Sequence, residues 1–244
     1  MLGVPIFPRR NLDNWLSCFL WILTPFKLVK FPILIVLPLL LIVGCSKPEP
    51  INYKETLNEI DDVYYTKDTN KPYSGPVFSI DKNGRNNIEG ILEDGKMITY
   101  KYFKYYQNGQ KMRESFYKDG KEDGLRTELY ENGQMKRKVI FKDGKPDGLL
   151  THWYENGQKK GEGSLKDGKP DGLGTQWYKN GQKMWEETYK DGKLNGLFTL
   201  WYENGQKMME GSYKKGEKDG EWRQWYNNGK KEFEHNYKDG ELVK

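Results

Sequence analysis

Cysteine is nearly absent from this sequence: there are two, Cys18 and Cys45, and both lie in its first 45 residues. The remainder has no thiol for a disulfide, a metal cluster or nucleophilic chemistry. Histidine is equally scarce. His152 and His235 are separated by more than three internal repeat lengths, roughly 35 Å at two strands per repeat, too far to share a metal or a proton. Neither a phosphate-cradling glycine loop nor a nucleophile elbow occurs, so catalysis has no visible machinery. A long one-signed charge stripe is also missing. Without residues 1–44 the chain carries 36 basic and 34 acidic residues, a net of +2, interspersed through every repeat. That argues against a nucleic-acid partner.

Long apolar runs are missing as well. The longest, Phe31 to Val43, has thirteen residues, where a spanning helix needs about 20. Lys27 and Lys30 precede it and Gly44-Cys45 ends it, which is the basic, apolar, small-residue order of a secretory signal. A second apolar patch, Trp15 to Phe26, lies upstream, as would follow from a start codon set too early or from an extended leader. The segment Leu41-Ile42-Val43-Gly44-Cys45 resembles the lipobox of bacterial lipoproteins. The resemblance implies cleavage before Cys45, a diacylglyceryl group on its thiol, and a membrane tether. Ser46 in place of Asp implies the outer membrane in a two-membraned cell. The expected organisation is a signal peptide over 1–44, a polar tether over 45–62 that contains Pro48 and Pro50, and a repeat array over 63–244.

What the sequence does have is glycine at fixed spacing. Asn-Gly pairs end at Gly109, Gly133, Gly157, Gly181, Gly205 and Gly229, each 24 residues after the last. A second set at Gly120, Gly144, Gly168, Gly192, Gly216 and Gly240 keeps the same step, mostly as Lys-Asp-Gly, and a third runs from Gly124 to Gly220. An earlier, divergent unit at Tyr73 to Gly95 fits the frame with one extra residue near Met97 to Tyr102. Asn-Gly and Asp-Gly between alternating segments predict hairpins with type I′ turns. Each unit therefore reads as strand, turn, strand, turn. The fold class expected is all-β: an open, single-layered antiparallel meander of about seven 24-residue hairpin repeats. In the first strand Leu149, Thr151 and Trp153 share one face, with Leu150 and His152 on the other; in the second, Trp185, Met209 and Phe233 oppose the Glu column at 114, 162, 186, 210 and 234.

The core Trp-Tyr-Glu-Asn-Gly-Gln-Lys at 153–159 and 201–207, with the Lys-Asp-Gly-Lys-x-(Asp/Asn)-Gly connector, resembles the MORN-repeat variant of the YwqK type over about residues 73–240. This resemblance implies a role in protein or membrane association. Proteins of this type are often labelled antitoxin components, which an exported anchor would restrict to an envelope-directed toxin. Choline-binding hairpin repeats share the aromatic and glycine content but fit the turn frame less well.

The candidate binding ladder is the set of adjacent pairs Trp153-Tyr154, Trp177-Tyr178, Trp201-Tyr202 and Trp225-Tyr226. Rings in one phase can stack along the sheet in place of a second layer, or line a groove for an extended peptide, glycan or headgroup. The Glu column stands at about 10 Å spacing, beyond the ~5 to 9.5 Å of glycosidase carboxylate pairs. The expectation is a non-catalytic binding or scaffolding lipoprotein without cofactor. Its expected lipid site is Cys45 behind Ile42, Val43 and Gly44, and its expected partners are a membrane and an unidentified protein or envelope ligand.

Overall fold

The computed structural model describes residues 47–243. The signal segment, the lipobox residues Ile42, Val43 and Gly44, and Cys45 lie outside these residues.

From Gly75 to Val243 the chain runs up and down through one sheet, each strand pairing antiparallel with its predecessor. A single parallel pair, Ile51–Asn52 beside Gly75–Ile80, brings the sheet to 18 strands and makes it mixed. The strand segments follow the 24-residue frame: Lys145–Trp153 and Lys159–Lys166, then Lys169–Trp177 and Lys183–Lys190, then Lys193–Trp201 and Lys207–Lys214. The extra residue expected near Met97 lengthens a strand: Lys96–Tyr105 has ten residues where Lys145–Trp153 has nine.

The two turn families differ, and only one matches the expectation. At Asp167-Gly168 both central residues have positive φ, 49° and 82°, and Lys166 pairs directly with Lys169. That is the two-residue type I′ turn. At Asn156-Gly157 only the glycine is left-handed, at φ 84°. The Gly157 N–H donates to the Tyr154 carbonyl at 2.9 Å, and the Tyr154 N–H to the Gln158 carbonyl at 2.8 Å. The loop is thus three residues long, a type I turn followed by a left-handed glycine. The cause is the Asn side chain, whose Oδ1 accepts the Gln158 N–H at 3.1 Å and holds Asn156 in the right-handed region. The same bond recurs from Gln110 to Asn108, Gln134 to Asn132, Gln182 to Asn180 and Gln206 to Asn204.

The expected tether is only partly one. Residues 51–60 fold onto the first hairpin of the array: Ile51–Asn52 adds a strand, Tyr53–Thr56 forms a helical turn, and Leu57–Ile60 pairs with Val63–Thr66 in a separate two-stranded sheet. Tyr53 and Leu57 bury against Val77 and Leu92. The polar residues of this stretch had outweighed its spaced apolar ones, Ile51, Tyr53 and Leu57. These cover a sheet end that would otherwise expose both its apolar face and its unpaired backbone.

At the other end a core forms from the sheet itself. Trp222 is 1% exposed. It lies opposite Gly211 in the register set by the neighbouring pairs, parallel to Phe198 at 5.7 Å, and takes the edges of Tyr213 and Tyr237 at 5.0 and 6.4 Å. Lys218 Nζ stands 4.4 Å from the ring centre, and the indole N–H donates to the Ser212 carbonyl at 3.1 Å. A Cβ on Gly211 would sit 2.3 Å from the indole, so only glycine fits there.

Candidate functional site

Between those ends, neighbouring repeats are tied at both edges of the sheet. At the Asp-Gly edge, the Gly168, Gly192 and Gly216 N–H groups donate to the carbonyls of Pro146, Pro170 and Leu194 at 2.7 to 2.8 Å. Asp147 and Asp171 accept the N–H of Asp167 and Asp191 at 3.3 and 3.1 Å, and Asn195 that of Lys215 at 3.1 Å. This explains the Asp or Asn of the connector. At the Asn-Gly edge, the hydroxyls of Tyr154, Tyr178 and Tyr202 donate to the carbonyls of Trp177, Trp201 and Trp225 at 2.7, 2.9 and 2.9 Å. Tyr106 and Tyr130 do the same to Leu129 and Trp153.

The ladder therefore separates into two functions. Tyr154, Tyr178 and Tyr202 bond the next repeat, while Tyr226 is 45% exposed. Trp153, Trp177, Trp201 and Trp225 form a half-buried column on one face. Lys159 and Lys183 stand 5.3 and 5.5 Å from the ring centres of Trp177 and Trp201. The same lysines pair with Glu162 and Glu186 at 2.8 and 2.5 Å, as does Lys207 with Glu210. Residues three apart share a face here because the register slips after Lys159, where Trp153 pairs with Lys159 and His152 with Gly161. Such exposed pairs contribute little stability, and they occupy the Glu column with lysine rather than with one another. On this face Leu149, Leu173 and Leu197 are exposed, Leu197 to 74%. The Trp and Leu columns together make an apolar strip at repeat spacing; the period of two placed the leucines on this face, but their exposure was not legible in the sequence.

Charge concentrates at Arg223, which stands where the four preceding units have threonine and reaches Glu210 at 3.2 Å, Glu234 at 3.3 Å and Glu221. Lys231 and Arg223 hold Glu234 well below the ordinary carboxylate range, at about 2, and Glu210 is lowered chiefly by Lys207 and then Arg223. Among the described residues, no group of three His, Cys, Asp or Glu is placed to hold a metal.

An open repeat meander with an apolar strip is consistent with a binding or scaffolding protein. The MORN repeat variant family matches it at residues 101–119, 122–143, 146–167, 194–215 and 218–239, so the chain carries five MORN repeat variants, and the unit at 170–191 keeps their frame. No curated protein matches the chain. Among solved structures, the chain is similar to one described as accessory secretory protein 1, 2 and 3 in Streptococcus pneumoniae, with 17% identity and a TM-score of 0.26 over 41% of this chain. It spans 19% of that chain's length. A protein of unknown function from Bacteroides fragilis aligns over 68% of this chain and 92% of its own, at 8% identity and a TM-score of 0.14.

Proposed function

We propose that this protein is a lipid-anchored envelope protein whose repeat array binds or scaffolds a protein or envelope component without catalysing a reaction. The observation that carries the binding reading is the Leu and Trp strip: apolar side chains left accessible in three successive repeats, at Leu149, Leu173 and Leu197, on strands whose edges are already tied by tyrosine and aspartate. Exposed apolar surface of this kind marks interaction sites. The anchor reading rests on the apolar run and on the lipobox-like Ile42, Val43 and Gly44 before Cys45. A single acyl chain holds weakly, and the three chains usual for bacterial lipoproteins would hold firmly.

The test is fractionation of cells expressing the wild type and Cys45→Ala, with intact mass of the membrane-bound species. The expected result is a triacylated protein that begins at Cys45 and leaves the membrane fraction in the variant. A protein that keeps residues 1–44 and stays membrane-bound regardless of Cys45 would contradict the anchor.

A further inference from the structure

The face opposite the tryptophan column has a row that runs straight across the sheet through paired positions: Arg113, Glu128, Arg137, His152, Gly161, Gln176 and Trp185. It is cationic at one end and aromatic at the other. Of the five arginines in the described residues, Arg85, Arg126 and Arg223 form ion pairs, whereas Arg113 and Arg137 each carry a buried Nε with no hydrogen-bond partner. Lys104 and Lys136 join Arg113 around a recess of ≈ 330 Å³ that holds one acid, Glu128. This local excess of cations stands out in a chain whose two signs otherwise nearly balance.

Two strands beyond Arg137 lies a second recess, of ≈ 230 Å³, walled by Leu150, His152, Leu165, Trp185 and Tyr189 and floored by Gly161, Gly163 and Gly174. It is the unfilled counterpart of the Trp222 nest. In the 24-residue frame Gly174 stands where Trp222 stands, Gly163 where Gly211 stands, and Tyr189 where Tyr237 stands. Gly211 is glycine because the indole lies on it. Gly163 has no such reason: a Cβ there would meet Gly174 Cα at 3.5 Å, ordinary contact, and its φ is not left-handed. Glycine weakens a strand and marks close approach by something else. Ser164, counterpart of the Ser212 whose carbonyl accepts the Trp222 indole N–H, lines the recess.

We infer that this face binds an extended acidic segment of a partner polypeptide, its carboxylates on Arg113 and Arg137 and an aromatic side chain in the glycine recess. Two strand spacings separate Arg137 from Gly161, about 10 Å, or about three residues of extended chain. Arginine forks suit carboxylates. The inference rests on the reading that the array binds a protein, and adds a second face, opposite the Leu and Trp strip, with its own chemistry.

A random dodecapeptide library panned against the full-length protein tests it. The wild type should enrich peptides with Asp or Glu about three residues from Trp or Phe by at least about tenfold over the starting library. The double variant Arg113→Gln/Arg137→Gln should lose the acidic preference and keep the aromatic one. Gly163→Val, which installs the residue that Val139 provides at the same place one unit earlier, should lose the aromatic preference and keep the acidic one. If that variant fails to fold by circular dichroism, the arginine pair alone decides. An identical consensus in all three proteins, no enrichment, or retention on anionic vesicles in place of peptides would each overturn the inference. None of these outcomes alters the Cys45 fractionation result, so the two proposals can fail separately.

Discussion

The two ends of this sheet meet the same difficulty, a single layer with nothing to pack against, in different ways, and the repeats between them meet it in a third. The N-terminal end adds material from outside the repeats: Tyr53 and Leu57 descend on Val77 and Leu92. The C-terminal end enlarges its own residues, so that Trp222 fills the space over Gly211 among Phe198, Tyr213 and Tyr237. The units over 159–190 keep most of their side chains half-buried and rely on tyrosine and aspartate ties from one repeat to the next, while Phe103, Val139 and Phe141 bury in the units before them. Stability in such an array is a sum of unit and neighbour terms. The ends should therefore respond to loss of apolar volume, and the middle to loss of hydrogen bonds.

The largest effect belongs to the ends. Trp222→Ala should cost about 3 to 5 kcal/mol and Leu92→Ala about 2 to 5, read from urea unfolding. Next, Gly211→Ala should cost about 1 to 3 kcal/mol by overpacking against the indole. The equivalent Gly163→Ala should be neutral or stabilising by up to about 1 kcal/mol. Equal losses at both would erase the distinction between a filled nest and an open one. Smaller again, Tyr178→Phe should cost about 0.5 to 1.5 kcal/mol for the lost bond to the Trp201 carbonyl, whereas Tyr226→Phe, at an exposed ring, should cost nothing measurable.

The smallest effect is a pH dependence. Burial lowers His152 below its ordinary value, and Arg137 and Lys160 add to this. A histidine depressed in the folded state takes up its proton more readily when unfolded. Its contribution is thus present above the unfolded value of about 6.5 and is lost as pH falls below it. His152→Gln should flatten the fall in unfolding free energy between pH 7.5 and pH 5.

How much of this was legible in the sequence follows from which contacts are local. The 24-residue frame, the faces of each strand and the type I′ Asp-Gly turns are all set within a few residues, and the spacing predicts them. So is the longer strand after Gly95, visible as one residue too many near Met97. The Asn-Gly turns departed because Asn156 bonds its own backbone two residues on, a preference that the dipeptide rule does not carry. The fold of residues 51–60 was hidden because Ile51, Tyr53 and Leu57 show no strand or helix period, and their partners Val77 and Leu92 lie in the next hairpin. The tyrosines of the ladder were expected as candidate binding rings. Their bonds to the carbonyl 23 residues on become visible only once repeats are stacked. The glycine recess likewise exists only by comparison between units: Gly174 is informative because Trp222 occupies its place.

The central claim, that the array binds a protein partner along its faces, is tested most directly by placing a photocrosslinking residue in turn at Leu173 on the tryptophan face, Leu150 on the arginine face and Asn180 at the turn edge in living cells. The account predicts discrete adducts with a polypeptide from at least one face position and none from Asn180. No polypeptide adduct from either face, or equal labelling at all three positions, would contradict it.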